Sequence, residues 1–160
     1  MANDLIKSYT FETASSSYQF VNIPQTYRQL YIIWEGRTVS GSGLLQFNSE
    51  TNSYYNRGIR SNNGIVGTAT GDTNGVYLGE TAIASGYQTA GHIYINHYTS
   101  NTMKQAVVKG AYIRNSTTDY YGYQGSGRHA TTSAITSLTF TTTNGANWVA
   151  GSKVQLYGIE

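Results

Sequence analysis

The sequence carries little charge. Only 11% of its 160 residues are Asp, Glu, Lys or Arg, against about 25% in an ordinary soluble domain. The formal net charge is +2 at pH 7, and the basic residues are scattered along the chain, so we expect no nucleic-acid partner. Hydroxyl and amide side chains must cover the folded surface. Two interpretations are open. The surface could be the ordinary surface of an all-β protein, or it could bind another protein or a carbohydrate.

Cysteine is absent, which excludes disulfides and thiolate metal sites. A β protein without disulfides needs a large core, oligomerisation or both. The single proline, Pro24, lies in a linking segment where its fixed φ suits a turn. No apolar run approaches the length of a membrane span, and the N-terminus lacks the features of a signal peptide. We therefore expect no membrane partner.

What the chain does have is alternation of apolar and polar residues, the pattern of strands with one buried face. No segment carries a helical stripe. The predicted strands are Leu5–Glu12, Tyr18–Val21, Gln29–Arg37, Gly43–Asn48, Tyr54–Arg60, Gly75–Gly79, Ala90–His97, Met103–Arg114, Tyr120–His129, Ile135–Thr142 and Ser152–Gly158. Many short strands separated by turns are typical of an all-β, antiparallel β-sandwich or jelly-roll-like fold.

The length favours one β-sandwich domain that covers residues 1–160. Residues 1–7 could form a short N-terminal arm that stays free until it docks. The only helical feature expected is a turn at Pro24–Tyr27. Two segments rich in Asn, Gly, Ser and Thr, Ser61–Gly64 and Thr68–Gly75, are predicted to be loops.

The clearest core strand is Gln29–Arg37. By alternation, its two faces carry Leu30, Ile32 and Trp34 on one side and Tyr31, Ile33 and Glu35 on the other. Both faces are partly apolar, so we expect the strand to be covered on both sides. A neighbouring subunit could provide the second cover.

Three stretches, taken together and in order, resemble a known family. They are FVNIPQTYRQLYI (Phe20–Ile32), LLQFNSETNSYYNRG (Leu44–Gly58) and AITSLTFTTTNGANWVAGSKVQLYGIE (Ala134–Glu160). The chain is similar over most of its length to small β-sandwich proteins encoded by tailed bacteriophages and prophages. Glu50 stands where Asp is commoner in that family, and Trp148 where Phe is commoner. The first difference removes any case for a shared acidic metal site at that turn.

The resemblance implies a structural protein of the virion rather than an enzyme. Such proteins are capsid decoration (cement) proteins or domains of tail fibres, and they are usually trimeric. We therefore expect a homotrimer, made in the host cytoplasm, that binds the major capsid protein or other virion proteins on the capsid surface. The alternative is a tail-fibre or receptor-binding domain that recognises a glycan of the host surface.

The resemblance also implies structural roles for the motif residues. Tyr27 and Leu30 would begin the core strand, and Phe47, Asn48 and Tyr54 would bracket a polar loop. Gly158, in the terminal Leu-Tyr-Gly, would allow close approach of another part of the chain to the backbone.

No set of residues in the sequence converges on a catalytic or metal site. Most of the eight acidic residues fall at predicted strand ends or in loops, where solvated and capping roles are commoner than glycoside hydrolysis. His92 and His97 are five positions apart on one strand, hence on opposite faces. Gly125–Gly127 is typical of a turn rather than of a nucleophile elbow or a phosphate-binding loop. We expect no enzymatic activity, no metal and no cofactor.

Tyrosine is frequent, at 15 of 160 residues. Its rigid apolar ring and polar tip suit strands, subunit interfaces and sugar stacking alike, and the sequence leaves these three roles open. The candidates for a capsid or subunit interface are Leu5, Ile6, Tyr31, Ile33, Tyr94, Tyr112 and Tyr121. The candidates for ligand-binding loops are Glu50, Asn52, Tyr54, Tyr55, Asp72 and Asn74.

Overall fold

The computed structural model describes residues 3–62, 65–71, 74–81, 87–113 and 120–160. Within these ranges the chain forms twelve β-strands and no helix, so no described segment is a helix that could cross a membrane. The strands are β1 (Asn3–Thr10), β2 (Tyr18–Phe20), β3 (Gln29–Gly36), β4 (Ser42–Phe47), β5 (Tyr54–Asn62), β6 (Ile65–Gly71), β7 (Val76–Glu80), β8 (Thr89–Asn96), β9 (Lys104–Ile113), β10 (Tyr120–His129), β11 (Leu138–Thr142) and β12 (Lys153–Ile159).

The strands form two antiparallel sheets packed as a β-sandwich, as the sequence predicts. The large sheet has eight strands in the order β1-β12-β3-β8-β9-β10-β5-β6, and the small sheet has four in the order β2-β11-β4-β7. Because the small sheet has half as many strands, it covers only part of the large one. The strand β3 lies inside the large sheet, between β12 and β8.

The core between the sheets is built from alternate positions of the strands. Leu30, Ile32 and Trp34 of β3 are each at most 1% exposed, so this face of the strand turns into the core. Phe47 and Phe140 of the small sheet are buried to the same degree. Each large apolar side chain that is fully buried contributes roughly 1.5–3 kcal/mol to the stability of the fold.

Trp148 closes one end of the sandwich although it belongs to no strand. Its indole is fully buried and stacks on the ring of Phe140, with ring centroids 4.3 Å apart. Isolated backbone bridges tie this residue to Ser15 and Thr38. The aromatic side chain thus anchors the connection between β11 and β12.

Asn48 organises the other end of the small sheet, where β4 ends and β11 begins. Its amide group donates a hydrogen bond to the Ala134 carbonyl (2.9 Å), and its side-chain oxygen accepts from the N–H groups of Thr136 (2.9 Å) and Ser137 (3.2 Å). Its φ of 51° lies in the left-handed region, which Asn tolerates better than most residues. The side chain of Asn48 therefore links the stretch Leu44–Gly58 to the stretch Ala134–Glu160 by hydrogen bonds.

The structure corrects both predicted loops beside β6. Thr68–Gly71 belongs to β6, and Ser61 and Asn62 complete β5. The two strands pair in register over seven residue positions. The loop prediction was wrong because β6 is an edge strand whose residues 65–68 are all exposed, so apolar and polar residues do not alternate there as in the other strands.

The structure also corrects the expected N-terminal arm, as far as its residues are described. Asn3–Lys7 belong to β1, which pairs with β12 and has a bulge between Leu5 and Lys7. These residues are not a free arm, because the C-terminal strand satisfies their backbone groups. Residues 1–2 lie outside the described residues.

Candidate functional site

The large sheet turns one face to the small sheet, and no described strand packs on its opposite side, which we call the open side. Cross-strand pairing arranges the open side in three rows, which together we call the outer face. The first row is Glu35, Ala90, Ala111, Gly122, Ser61 and Val66; the second is Ile33, His92, Lys109, Gln124 and Ile59; the third is Tyr157, Tyr31, Tyr94 and Val107.

Small residues in the first row create a groove across the outer face. Ala90, Ala111 and Gly122 are neighbours on three adjacent strands, so the floor of the groove is low. Ile33 and Ile59 also line the groove and lie in the second row, on the flanking strands β3 and β5. The groove has a volume of about 660 Å³, within the range of ligand-binding pockets, and its lining is mainly apolar.

Tyr31 is the centre of an aromatic cluster beside the groove. Its ring stacks on that of Tyr94 with centroids 4.5 Å apart, and the Tyr157 ring lies at 6.2 Å and the His92 ring at 5.8 Å. Partial burial, with a smaller contribution from Tyr94, raises the pKa of Tyr31. The mutual packing fixes these rings in place, so the outer face presents a rigid and largely apolar surface.

Polar groups lie at one side of the groove. His92 and Lys109 are directly opposite each other on β8 and β9. Partial burial lowers the pKa of His92, and the positive charge of Lys109 adds to this effect. The shift favours the neutral imidazole, which can donate one hydrogen bond and accept another. Gln124 follows in the same row and adds an amide.

The groove offers stacking surfaces and hydrogen bonds. Glu35 is the one carboxylate among the described lining residues, whereas the usual glycosidase mechanisms need two. Among the described parts of the chain, no three His, Asp or Glu side chains gather as a metal site.

Three of the predicted interface residues come together on the outer face. Tyr31, Ile33 and Tyr94 are neighbours there, and all three are half-buried. Leu5 and Ile6 lie apart from them, on β1 at one edge of the large sheet. Leu5 is 54% exposed, whereas Ile6 packs against the core.

The remaining two interface candidates are inside the molecule. Tyr112 and Tyr121 are 2% and 6% exposed, and their rings stack almost parallel with centroids 4.7 Å apart. Burial, together with the nearby carboxylate of Glu80, raises the pKa of Tyr112. The structure thus corrects their assignment to an interface. These tyrosines point inward from β9 and β10 and stabilise the fold.

Tyr54 is also structural rather than part of a ligand-binding loop. Its side chain is 1% exposed, and its hydroxyl accepts a hydrogen bond from the Phe47 N–H (2.6 Å). The ring lies against that of His129, with centroids 4.2 Å apart. Burial raises its pKa well above the usual range. This hydrogen bond links the last residue of β4 to the first residue of β5.

The other loop candidates do not form one site. Glu50, Asn52 and Asn74 are exposed, but the Asn52 carbonyl already accepts a hydrogen bond from the buried His129 ring (2.9 Å). Tyr55 is 40% exposed and is the second residue of β5. Asp72 lies outside the described residues.

The sequence does not reveal the groove itself. Ala90, Ala111 and Gly122 are far apart in the chain and unremarkable as residue types. They form a floor only because strand pairing places them side by side. Each of these small residues occupies an outward position of a long strand, which the sequence can indicate. Their position as neighbours, however, depends on the register between the strands, which the sequence does not give.

Comparison of the chain with models of protein families finds no match, and neither does comparison with curated protein sequences. The fold places the chain among the antiparallel β-sandwich proteins and in no narrower class.

Proposed function

We propose that this protein is a non-enzymatic structural component of a bacteriophage virion. In this proposal it is a homotrimeric decoration protein that binds the capsid surface and stabilises the head. Two lines support it: the resemblance of three sequence stretches to small virion proteins, and the character of the outer face. The observation that carries most weight is the clustering of Tyr31, Ile33 and Tyr94 on an open sheet surface.

The outer face has the composition of a protein-binding surface. The cores of protein interfaces are enriched in Tyr and depleted in charged residues. The half-buried rings of Tyr31, Tyr94 and Tyr157 leave apolar area that a partner would remove from water. A trimer that bridges neighbouring capsid subunits would multiply such modest contacts through avidity.

Co-sedimentation with empty capsids of the encoding phage tests the proposal. The wild-type protein should pellet with capsids in a saturable manner. The variant Ile33→Lys should bind at least tenfold more weakly, because it places a charge beside the Tyr31 and Tyr94 rings of the outer face. Thr139→Lys is the matched control: Thr139 lies at an outward position of a central strand, but in the small sheet.

The control variant should bind as the wild type does, and all three proteins should have similar melting temperatures. Absence of wild-type binding would overturn the decoration function. Equal binding of wild type and Ile33→Lys would exclude the outer face as the contact.

The groove favours a second candidate function, a tail-fibre domain that binds a host glycan. Sugar rings stack on aromatic side chains and need several hydrogen-bond partners. The rings of Tyr31 and Tyr120 line the groove together with His92, Lys109 and Gln124. Binding would then occur in this groove rather than in the loops that the sequence suggests.

Binding to host lipopolysaccharide or exopolysaccharide distinguishes the two functions. A tail-fibre domain should bind one of these polymers, and Lys109→Ala should weaken that binding. A decoration protein should bind capsids and neither polymer.

A further inference from the structure

One half of the large sheet carries no negative charge. The adjacent strands β8, β9, β10, β5 and β6 contain no Asp or Glu but five Lys or Arg residues. Three of the five occupy positions on the open side of the sheet, where they alternate with residues that face the core: Lys109, Arg57 and Arg128. Basic residues that are scattered in the sequence therefore share one surface of the fold.

The open side offers little negative charge to offset them. Glu35 is the one acidic residue at an outward position of the described strands of the large sheet, and it lies directly opposite Lys153 on β12. Opposite charges at paired positions of this kind attract each other. The carboxylate of Glu35 is thus placed beside a cation of its own, at the other half of the sheet.

Arg128 is held in position by an aromatic ring. Its guanidinium carbon lies 4.7 Å from the centroid of the Tyr55 ring, and both side chains are exposed. Its cross-strand neighbours, Gln105 and Tyr55, are uncharged. A guanidinium that stacks on a ring keeps its N–H groups in its own plane, where two of them can donate parallel hydrogen bonds to one carboxylate. Arg128 is therefore oriented for a carboxylate in the unbound protein.

Lys109 adds a second exposed positive charge, within the outer face. Its cross-strand neighbours are His92 and Gln124, and neither is acidic. Burial lowers the pKa of His92, and the charge of Lys109 lowers it further. The imidazole thus lies in a positive potential that no carboxylate of the adjacent strands offsets.

We infer that the open side of the large sheet binds an acidic surface of a partner protein, with carboxylates of that partner at Arg128 and Lys109. The inference deepens the proposed function and rests on it for the identity of the partner, a virion protein. The chemistry of the contact comes from this chain alone: aromatic rings that lose apolar area to the partner, beside two cations that lack acidic neighbours across the strands.

The spacing of the two cations favours a protein over other anionic partners. Lys109 is opposite Gln124, and Arg128 follows four residues later on β10, about 13 Å along the strand. A sugar in the groove would meet Lys109 but not Arg128, which is not among the lining residues. A nucleic acid needs a more continuous basic track. A protein interface of standard size covers about 800 Å² on each partner, enough to span both cations and the Tyr31 cluster.

Binding of poly-L-glutamate, an acidic polypeptide, tests the inference without capsids. The wild type should bind it at low salt, with NMR shift changes on β9, β10 and β5 and none in the small sheet. Added salt should weaken the binding, because it screens exposed charges. Lys109→Glu and Arg128→Glu should each bind at least about tenfold more weakly, since each reversal brings like charges together.

Arg28→Glu is the matched control, because Arg28 is exposed and precedes β3. It makes the same change in net charge away from the proposed contact and should bind nearly as well as the wild type. Arg128→Gln removes the charge without reversing it, so it decides the matter if Arg128→Glu does not fold. A wild type that does not bind polyglutamate would overturn the inference, and so would reversals that weaken binding no more than the control does.

Two further comparisons separate the possible failures. Polygalacturonate or duplex DNA bound more tightly than polyglutamate would overturn the assignment to a protein partner. A wild type that binds polyglutamate but not capsids would overturn the proposed function and leave the acidic partner standing. Capsid binding that neither reversal weakens would overturn the inference and leave the proposed function standing.

Discussion

The aromatic ring of Tyr27 lies directly on the backbone of Gly158. A Cβ atom at position 158 would come closer than 3.0 Å to three atoms of that ring, a distance that real Cβ atoms essentially never show. The contact joins the segment before β3 to the last strand, and glycine is the residue that permits it. This contact gives a structural reason for the tyrosine in the stretch Phe20–Ile32 and for the glycine in the stretch Ala134–Glu160.

The variant Gly158→Ala should therefore be destabilised by about 1–3 kcal/mol, the usual range for an overpacked site. Urea titration measures the change. Gly67→Ala is the control, because an added methyl group there meets nothing within 4 Å; its stability should change by less than about 0.5 kcal/mol. Equal stability of the two variants would show that the Tyr27 ring moves aside at no cost.

Removal of the Trp34 indole should cost about 3–5 kcal/mol in Trp34→Ala, since the side chain is 1% exposed. The indole packs over Gly91 on the neighbouring strand β8, so the variant leaves a cavity at the centre of the large sheet. Trp34→Phe should lose less, because its smaller ring fills part of the space. A loss below roughly 1 kcal/mol for Trp34→Ala in a denaturant titration would contradict the inward register of β3.

Two substitutions at Asn48 separate its hydrogen bonds from its backbone conformation. Asn48→Ala loses the side-chain bonds to residues 134–137 and also puts alanine at a φ of 51°. Asn48→Gly loses the same bonds but adopts that φ without strain. We expect destabilisation of about 1–3 kcal/mol for the alanine variant and a smaller loss for the glycine variant in thermal unfolding. The opposite order would contradict the conformational part of this account.

Buried tyrosines should make the protein sensitive to alkaline pH. Burial raises the pKa of Tyr123 to about 12, and the neighbouring Tyr77 adds to the shift. The folded state therefore favours the neutral phenol. Its stabilising effect is complete below the ordinary pKa of about 10 and is lost as the pH rises toward 12.

Tyrosinate absorbance, followed together with circular dichroism, measures this transition. Ionisation of the buried tyrosines should coincide with unfolding, and Tyr123→Phe should unfold at a higher pH than the wild type. Full ionisation of every tyrosine near the ordinary pKa, with the fold intact, would contradict the burial seen here.

The sequence is a good guide to strands that have one buried face. The alternation in Gln29–Arg37 identifies the strand and separates its two faces, and the structure shows that the face with Leu30, Ile32 and Trp34 enters the core. It fails for β6, where residues 65–68 are all exposed and apolar and polar residues do not alternate. It also fails to distinguish interface from interior for Tyr112 and Tyr121, since a tyrosine suits either side of a strand.

The candidate site depends on information that alternation does not contain. The outer face combines residues from seven strands, and their order in the sheet differs from their order in the chain. The sequence names Tyr31, Ile33 and Tyr94 as interface candidates, but only the pairing of β3 with β8 brings them together. The groove floor likewise arises from the register of β8, β9 and β10.

Electron cryo-microscopy of virions that carry a labelled form of this chain tests the central claim most directly. The account predicts label over the capsid surface, with three copies grouped at each position and the outer face of each copy against the capsid. Label confined to the tail would contradict the decoration function and favour the glycan-binding alternative. Virions without any label, from cells that make the labelled chain, would contradict a structural role in the virion altogether.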